Sequence, residues 1–159
     1  MYFECINCNT FVDANISISV CADCCYPLKI MHKDTSVLSR DSQIVTLGEG
    51  DSKVIQLSKL AKLVGVSKVY AKLENSNPTG SFKDRGSAMM IGAIKAARVK
   101  NIVEDSSGNA GASVAAYSAA AEIEAHVFVP ENTPKAKLDQ ILVYGATVHK
   151  VPGHRDNAA

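Results

Sequence analysis

From residue 68 onward the apolar positions alternate between short runs and longer stretches at helical spacing. Residues 68–74 (KVYAKLE), 101–104 (NIVE), 124–129 (EAHVFV) and 147–151 (TVHKV) are short and rich in β-branched or aromatic residues, and they predict four strands. Between them, residues 82–99 and the Ala-rich stretch that follows SSGNAG and runs to Ala121 predict helices. Thr133 and Pro134 supply an N-cap and a first helical residue for a further helix, which Gly145 ends. Upstream, residues 54–64 (VIQLSKLAKLV) have apolar positions at helical spacing closed by Gly65, and residues 41–50 (DSQIVTLGEG) predict a loop or short strand. The closing HRDNAA reads as the opening of another helix. Alternating strands and helices predict an α/β fold, a parallel sheet with flanking helices joined by right-handed crossovers.

Composition divides the chain. All five cysteines fall between Cys5 and Cys25, whereas the repeated apolar segments begin near Val69. Three parts are expected: residues 1–30, rich in cysteine; residues 31–67, a linker and the start of a larger domain, with a boundary near 32–40; and residues 68–159, the α/β domain, which ends before its architecture is complete. Seventeen basic against sixteen acidic residues give a charge of +1, which offers no electrostatic footprint for nucleic acid or an anionic membrane. No stretch approaches the roughly 20 apolar residues of a membrane span, and MYFECINCNT has neither the basic start nor the apolar run of a signal peptide. A cytoplasmic protein acting on small molecules is expected.

In a cytoplasmic chain, clustered cysteines point to metal more than to disulfides. Cys5-x-x-Cys8 and Cys21-x-x-Cys24 form two knuckles whose four thiolates can converge on one zinc ion, as in a zinc ribbon. Either Cys24 or Cys25 can supply the fourth ligand, and the symmetry of the knuckles favours Cys24. Four cysteines leave no open coordination position, so the zinc is expected to be structural. His32, His126, His149 and His154 show no metal-binding spacing and read as incidental.

Two loops carry the candidate chemistry. NPTGSFKDRG, residues 77–86, follows a strand and opens a helix, where backbone amides gather and active-site loops sit in open α/β sheets. A lysine at a helix start is ordinarily a solvated charge. Beside the cationic Arg85 and the positive helix end, however, Lys83 is expected to favour a neutral amine able to attack an aldehyde. DSSGNAG, residues 105–111, lies at another strand-to-helix junction, where amides, hydroxyls and the helix dipole can hold a carboxylate and Asn109 offers both donor and acceptor. Taken alone, it also reads as a capped helix whose small residues permit close packing.

The two loops together change that balance. NPTGSFKDRG closely resembles the lysine motif of fold-type-II pyridoxal-phosphate (PLP) enzymes, threonine synthases in particular, and SSGN follows it in the order those enzymes show. The likeness continues through AYSAAA, the strand ending in Val129-Pro130 and the turn at Gly145-Ala146, and Pro27-Leu28 matches the pair after the ribbon of many threonine synthases. The resemblance implies the small domain of a fold-type-II enzyme preceded by a zinc ribbon, with Lys83 carrying PLP and moving protons on the substrate. It implies that Asn109 contacts the phenolic oxygen of PLP, and that Ser106, Ser107 and Asn109 hold an amino-acid carboxylate. The implied reaction converts O-phospho-L-homoserine and water to L-threonine and phosphate; cysteate synthase and threonine dehydratase share the lysine loop. Two departures stand out: Asp51-Ser52-Lys53 follows Gly48-Glu49-Gly50 where relatives usually carry Thr-Pro, and the family's glycine-rich phosphate loop has no counterpart in these 159 residues. The second departure motivates two further expectations: a homo-oligomer or a complementary C-terminal half, or else an inactive zinc-binding interaction module.

Overall fold

The computed structural model describes residues 2–13, 20–31, 44–153 and 157–158. The chain divides into two compact units, Met1–Gln43 and Ile44–Ala159. The expected boundary at 32–40 and most of the closing HRDNAA lie outside the described residues.

The first unit is a three-stranded antiparallel sheet in the order β2-β1-β3, formed by β1 (Tyr2–Cys5), β2 (Phe11–Asp13) and β3 (Leu28–Met31). Its tight turns carry the cysteines: Asn9 N donates to Cys5 O at 3.1 Å and Cys25 N to Cys21 O at 2.9 Å.

In the second unit the parallel sheet is built from β6 (Asn101–Glu104), β7 (Glu124–Pro130) and β8 (Thr147–Val151), in that order. The expected fourth strand does not join it. Residues Tyr70–Lys72 form β5, which pairs antiparallel with β4 (Val54–Gln56) in a separate two-stranded sheet. The preceding segment offers it a partner close in sequence, with Val54, Ile55 and Gln56 opposite Lys72, Ala71 and Tyr70. The same pairing corrects the helix expected from residue 54. Val54 and Ile55, β-branched, go into the strand, and α1 spans only Ser58–Val64, closed by Gly65 in the left-handed conformation.

The remaining helices are α2 (Lys83–Ala96), α3 (Asn109–Ala121) and α4 (Lys135–Val143). Pro134 stands one position earlier than expected, at the N-cap of α4, and Gly145 follows that helix at a φ of 86°. None of these helices is long and apolar enough to cross a membrane.

Helix α3 is the centre of the unit. Every residue from Gly111 to Ser118 is buried. Ala112 and Ala115 pack with Val127 and Val129 of β7 and Leu138 and Ile141 of α4, while Ala116, Tyr117 and Ala121 pack with Ala88 and Ile91 of α2. Small side chains on all sides let one helix touch two neighbours and a sheet at close range. Tyr117 also reaches outward: its hydroxyl donates to Glu49 Oε2 at 2.6 Å, and that oxygen accepts from Leu47 N and Thr46 Oγ1 as well. Burial works to raise the Glu49 carboxyl, but these donors outweigh it and hold it below its ordinary value.

Asp84, in the first turn of α2, is fully buried. Its carboxylate accepts from Thr79 N at 2.7 Å, from the Thr79 hydroxyl, and from Ser113 Oγ of α3 at 2.6 Å; Ser113 lies 2.8 Å from Ser87 Oγ. Gly111 is a point of closest approach, since a Cβ there would stand 1.9 Å from the carbonyl oxygen of Ser106.

Two stability outcomes follow. Asp84→Asn keeps the shape but loses charge-assisted acceptance from three donors, and chemical denaturation is expected to show a loss of about 2–3 kcal/mol. Gly111→Ala forces the carbonyl of Ser106 aside, and the overpacking is expected to cost about 1–3 kcal/mol in the same measurement.

Candidate functional site

Lys83 is the first residue of α2 and is exposed. Its amide donates to Ser81 Oγ at 3.3 Å, and its Nζ lies 4.8 Å from the centre of the Phe82 ring. None of the ion pairs among the described residues involves Lys83. Its amine therefore stands at the mouth of the helix with no carboxylate to neutralise it.

The loop that presents it is held from two sides. On the inner side Asp84 fixes Thr79, and Gln140 of α4 donates to Thr79 O at 3.1 Å. On the outer side Glu74 grips Arg85: Nε donates to Oε2 at 2.9 Å and Nη2 to Oε1 at 3.1 Å. Asn77 joins the two strands of the loop by donating to Glu74 O and Oε2 and accepting from Gly50 N. The Arg85 fork beside it holds the Glu74 carboxyl down at about 2. Arg85 thus has a partner, and the expectation that its bare charge acts on Lys83 is corrected: a bidentate carboxylate largely cancels it.

The departure after Gly50 also finds its account here. Ser52 Oγ accepts from Arg85 Nη2 at 2.6 Å and donates to Glu74 Oε1 at 3.2 Å, while Asp51 takes a positive φ of 43°. Ser52 completes the Glu74–Arg85 pair, so the segment without Thr-Pro is tied directly to the lysine helix. Sequence reading passed over Glu74, Asn77, Ser52 and Asp84. The alternation of acidic and amide residues around NPTGSFKDRG was the available signal, but only the fold shows which of them face the loop.

Ser106, Ser107 and Asn109 lie at the junction between β6 and α3. Ser106 Oγ accepts from Gly108 N at 3.3 Å, Ser107 is partly buried, and Asn109 is exposed as the first residue of α3. The Asp84–Ser113 bond ties the first turn of α2 to α3 four residues beyond Asn109. The two loops singled out in the sequence therefore open two helices that are bonded to each other near their starts.

In the N-terminal unit, the Sγ atoms of Cys5, Cys8, Cys21 and Cys24 all lie within 4.8 Å of one another. Cys5 and Cys24 are 3.4 Å apart, and Cys8 is 3.6 Å from both Cys21 and Cys24. A disulfide needs about 2.05 Å. Four thiolates around one zinc ion, each bonded at about 2.3 Å, stand roughly 3.8 Å apart, so the donor set fits such an ion. The Asn7 and Cys8 amides point at Cys5 Sγ, and hydrogen bonding by the Thr10 side chain and backbone pulls the Cys8 thiol down to about 6. Cys25 lies outside the cluster, exposed and at a φ of 57°, so Cys24 is the fourth member.

Comparison with known proteins agrees with this geometry. Residues 45–159 match the family described as pyridoxal-phosphate dependent enzyme. Threonine synthase of Halalkalibacterium halodurans is 40% identical over 128 residues, covering 80% of this chain and 36% of the relative. Threonine synthase of Methanosarcina acetivorans is 30% identical over 180 aligned positions, covering 99% of this chain and 44% of the relative. Among solved structures, serine racemase from Dictyostelium discoideum superimposes with a TM-score of 0.61 at 34% identity, covering 69% of this chain and 36% of that one. The chain thus spans between about a third and a half of the length of the relatives it matches. On the match over residues 45–159, and on likeness to threonine synthases over most of its length, the chain belongs to the family of pyridoxal-phosphate dependent enzymes, fold type II.

Proposed function

We propose that this chain carries the lysine half of a threonine synthase-type active site, in which O-phospho-L-homoserine and water become L-threonine and phosphate. The observation that carries the reading is Lys83: an unpaired amine at the head of α2, on a loop held by Asp84 and Glu74, and joined through Ser113 to the helix that SSGN opens. The 40% identity to threonine synthases supports the substrate assignment.

Lys83 would hold the cofactor through its amine and, once free, would move a proton at the substrate α-carbon. Bound PLP supplies the electron sink for that chemistry. Ser106, Ser107 and Asn109 receive the substrate carboxylate at the start of α3, where first-turn amides and the helix dipole favour an anion. Asn109 would also meet the phenolic oxygen of the bound cofactor. Glu74, Ser52 and Arg85 hold the loop so that the amine is presented in one place. The cysteine cluster holds a structural zinc through Cys5, Cys8, Cys21 and Cys24.

A second reading within the family is a relative acting on a hydroxy amino acid, such as a threonine dehydratase, and the serine racemase likeness favours it. Phosphate release from O-phospho-L-homoserine supports the synthase; keto-acid formation from L-threonine or L-serine in its place selects the dehydratase.

The lysine assignment is tested by adding PLP to the full chain and recording the visible spectrum, then trapping the adduct with borohydride for mass spectrometry. A new absorbance band and a mass adduct on Lys83 are expected, and both are lost in Lys83→Ala; a band that survives the substitution overturns the assignment. For the metal, reduced protein is expected to hold one zinc per chain by elemental analysis. Cys24→Ser should lose it and Cys25→Ser should keep it; the reverse result would reassign the fourth ligand.

A further inference from the structure

We propose that His126 and His149 form a second cation site, a two-imidazole chelate for a borderline divalent ion of the nickel, copper or zinc kind. The two residues are 23 positions apart, and no sequence spacing connects them. Alternation along the strands does. In β7, Ala125, Val127 and Val129 point into the core against α3 and α4, so Glu124, His126 and Phe128 face the opposite side of the sheet. The parallel register sets His149 of β8 opposite Phe128, on that same side. His126 Nδ1 and His149 Nε2 then meet at 3.0 Å.

The pair has the parts of a chelate besides its two nitrogens. Glu124 Oε1 lies 3.3 Å from the other ring nitrogen of His126, Nε2. With its amide oriented to satisfy its neighbours, Asn101 of β6 donates to Glu124 Oε2 at 2.8 Å and so holds the carboxylate. A carboxylate on one imidazole nitrogen keeps the proton there and leaves the lone pair on the other, the arrangement found behind most metal-bound histidines. His149 is held by the Phe128 ring, stacked on it at 4.6 Å with an interplanar angle of 16°.

The distance suits a cation. Adjacent nitrogens of an octahedral ion, each bonded at about 2.1 Å, stand about 3.0 Å apart, and imidazole is a preferred donor for nickel, copper and zinc. Without the ion the rings meet nearly end to end, with centroids 5.3 Å apart; a proton kept at His126 Nε2 by Glu124 leaves His149 Nε2 as the donor in that contact. The ion replaces that shared proton. His149 passes its Nε2 proton to water and takes one at Nδ1, so no net proton is released, and each ring tilts off the N···N line to aim its lone pair at the ion. Water fills the other positions.

The site is independent of the PLP and zinc assignments, and its test uses the full chain, reduced and already loaded with zinc. Ni2+ alone is titrated by calorimetry and by amide NMR, where the paramagnetic ion broadens nearby signals. One Ni2+ per chain is expected, with broadening centred on residues 126 and 149. His126→Gln and His149→Asn should each weaken binding roughly 10-fold or more. Glu124→Gln, an exposed substitution that keeps both ligands and does not threaten folding, should weaken it about 10-fold through the lost orienting bond. Ni2+ uptake that is absent, that is unchanged in Glu124→Gln and His149→Asn, or that broadens only signals around the cysteines overturns the proposal.

Discussion

A buried carboxylate organises the second unit. Asp84 has no access to solvent, and burial of an unsatisfied carboxylate is costly enough that its position must be defined by its donors. Thr79 and Ser113 are those donors, one in the lysine loop and one in α3. Because Asp84 follows Lys83 directly, satisfying it fixes where the lysine emerges and how α2 lies against α3. Bonding inside the fold and presentation of an amine outside it are the same constraint.

The outer clamp is of another kind. Glu74 and Arg85 are partly exposed, and an ion pair in such a place contributes little to stability. Its value is geometric, because a bidentate fork admits few orientations. Ser52 and Asn77 extend the fork to the segment after Gly50 and to the loop itself. A departure from the family pattern at residues 51–53 therefore sits inside the network that aims Lys83, with a hydroxyl in place to complete it.

The second loop depends on space more than on bonds. Gly111 leaves room for the carbonyl of Ser106, and the small residues of α3 let the helix lie between α2 on one side and β7 with α4 on the other. The two readings of SSGNAG, an anion-binding junction and a closely packed helix start, are thus compatible: the packing brings the junction where the lysine helix can be bonded to it.

The sequence by itself determined much. Strand and helix periods located α2, α3, β6, β7 and β8, because buried segments of a parallel sheet and of its helices carry continuous or strongly periodic apolar patterns. The two loops were legible because their residue types and spacing are unusual, and the two cysteine knuckles because four thiols in that pattern have few other uses. Tertiary structure decided what depends on partners. Residues 70–72 look like any short strand, and their antiparallel pairing shows only once β4 is beside them. Arg85 reads as a free charge until Glu74 is set against it, and nothing local to Asp84 shows that Ser113 of α3 is bonded to it. Cys24 separates from Cys25 only when the turn geometry swings one inward and the other out. His126 and His149 read as incidental along the chain, and only the register of adjacent strands brings them to 3.0 Å. Local pattern fixes which elements form, because it acts through neighbours in sequence; charge pairs and ligand sets are fixed by contacts between residues far apart in sequence, which no local pattern contains.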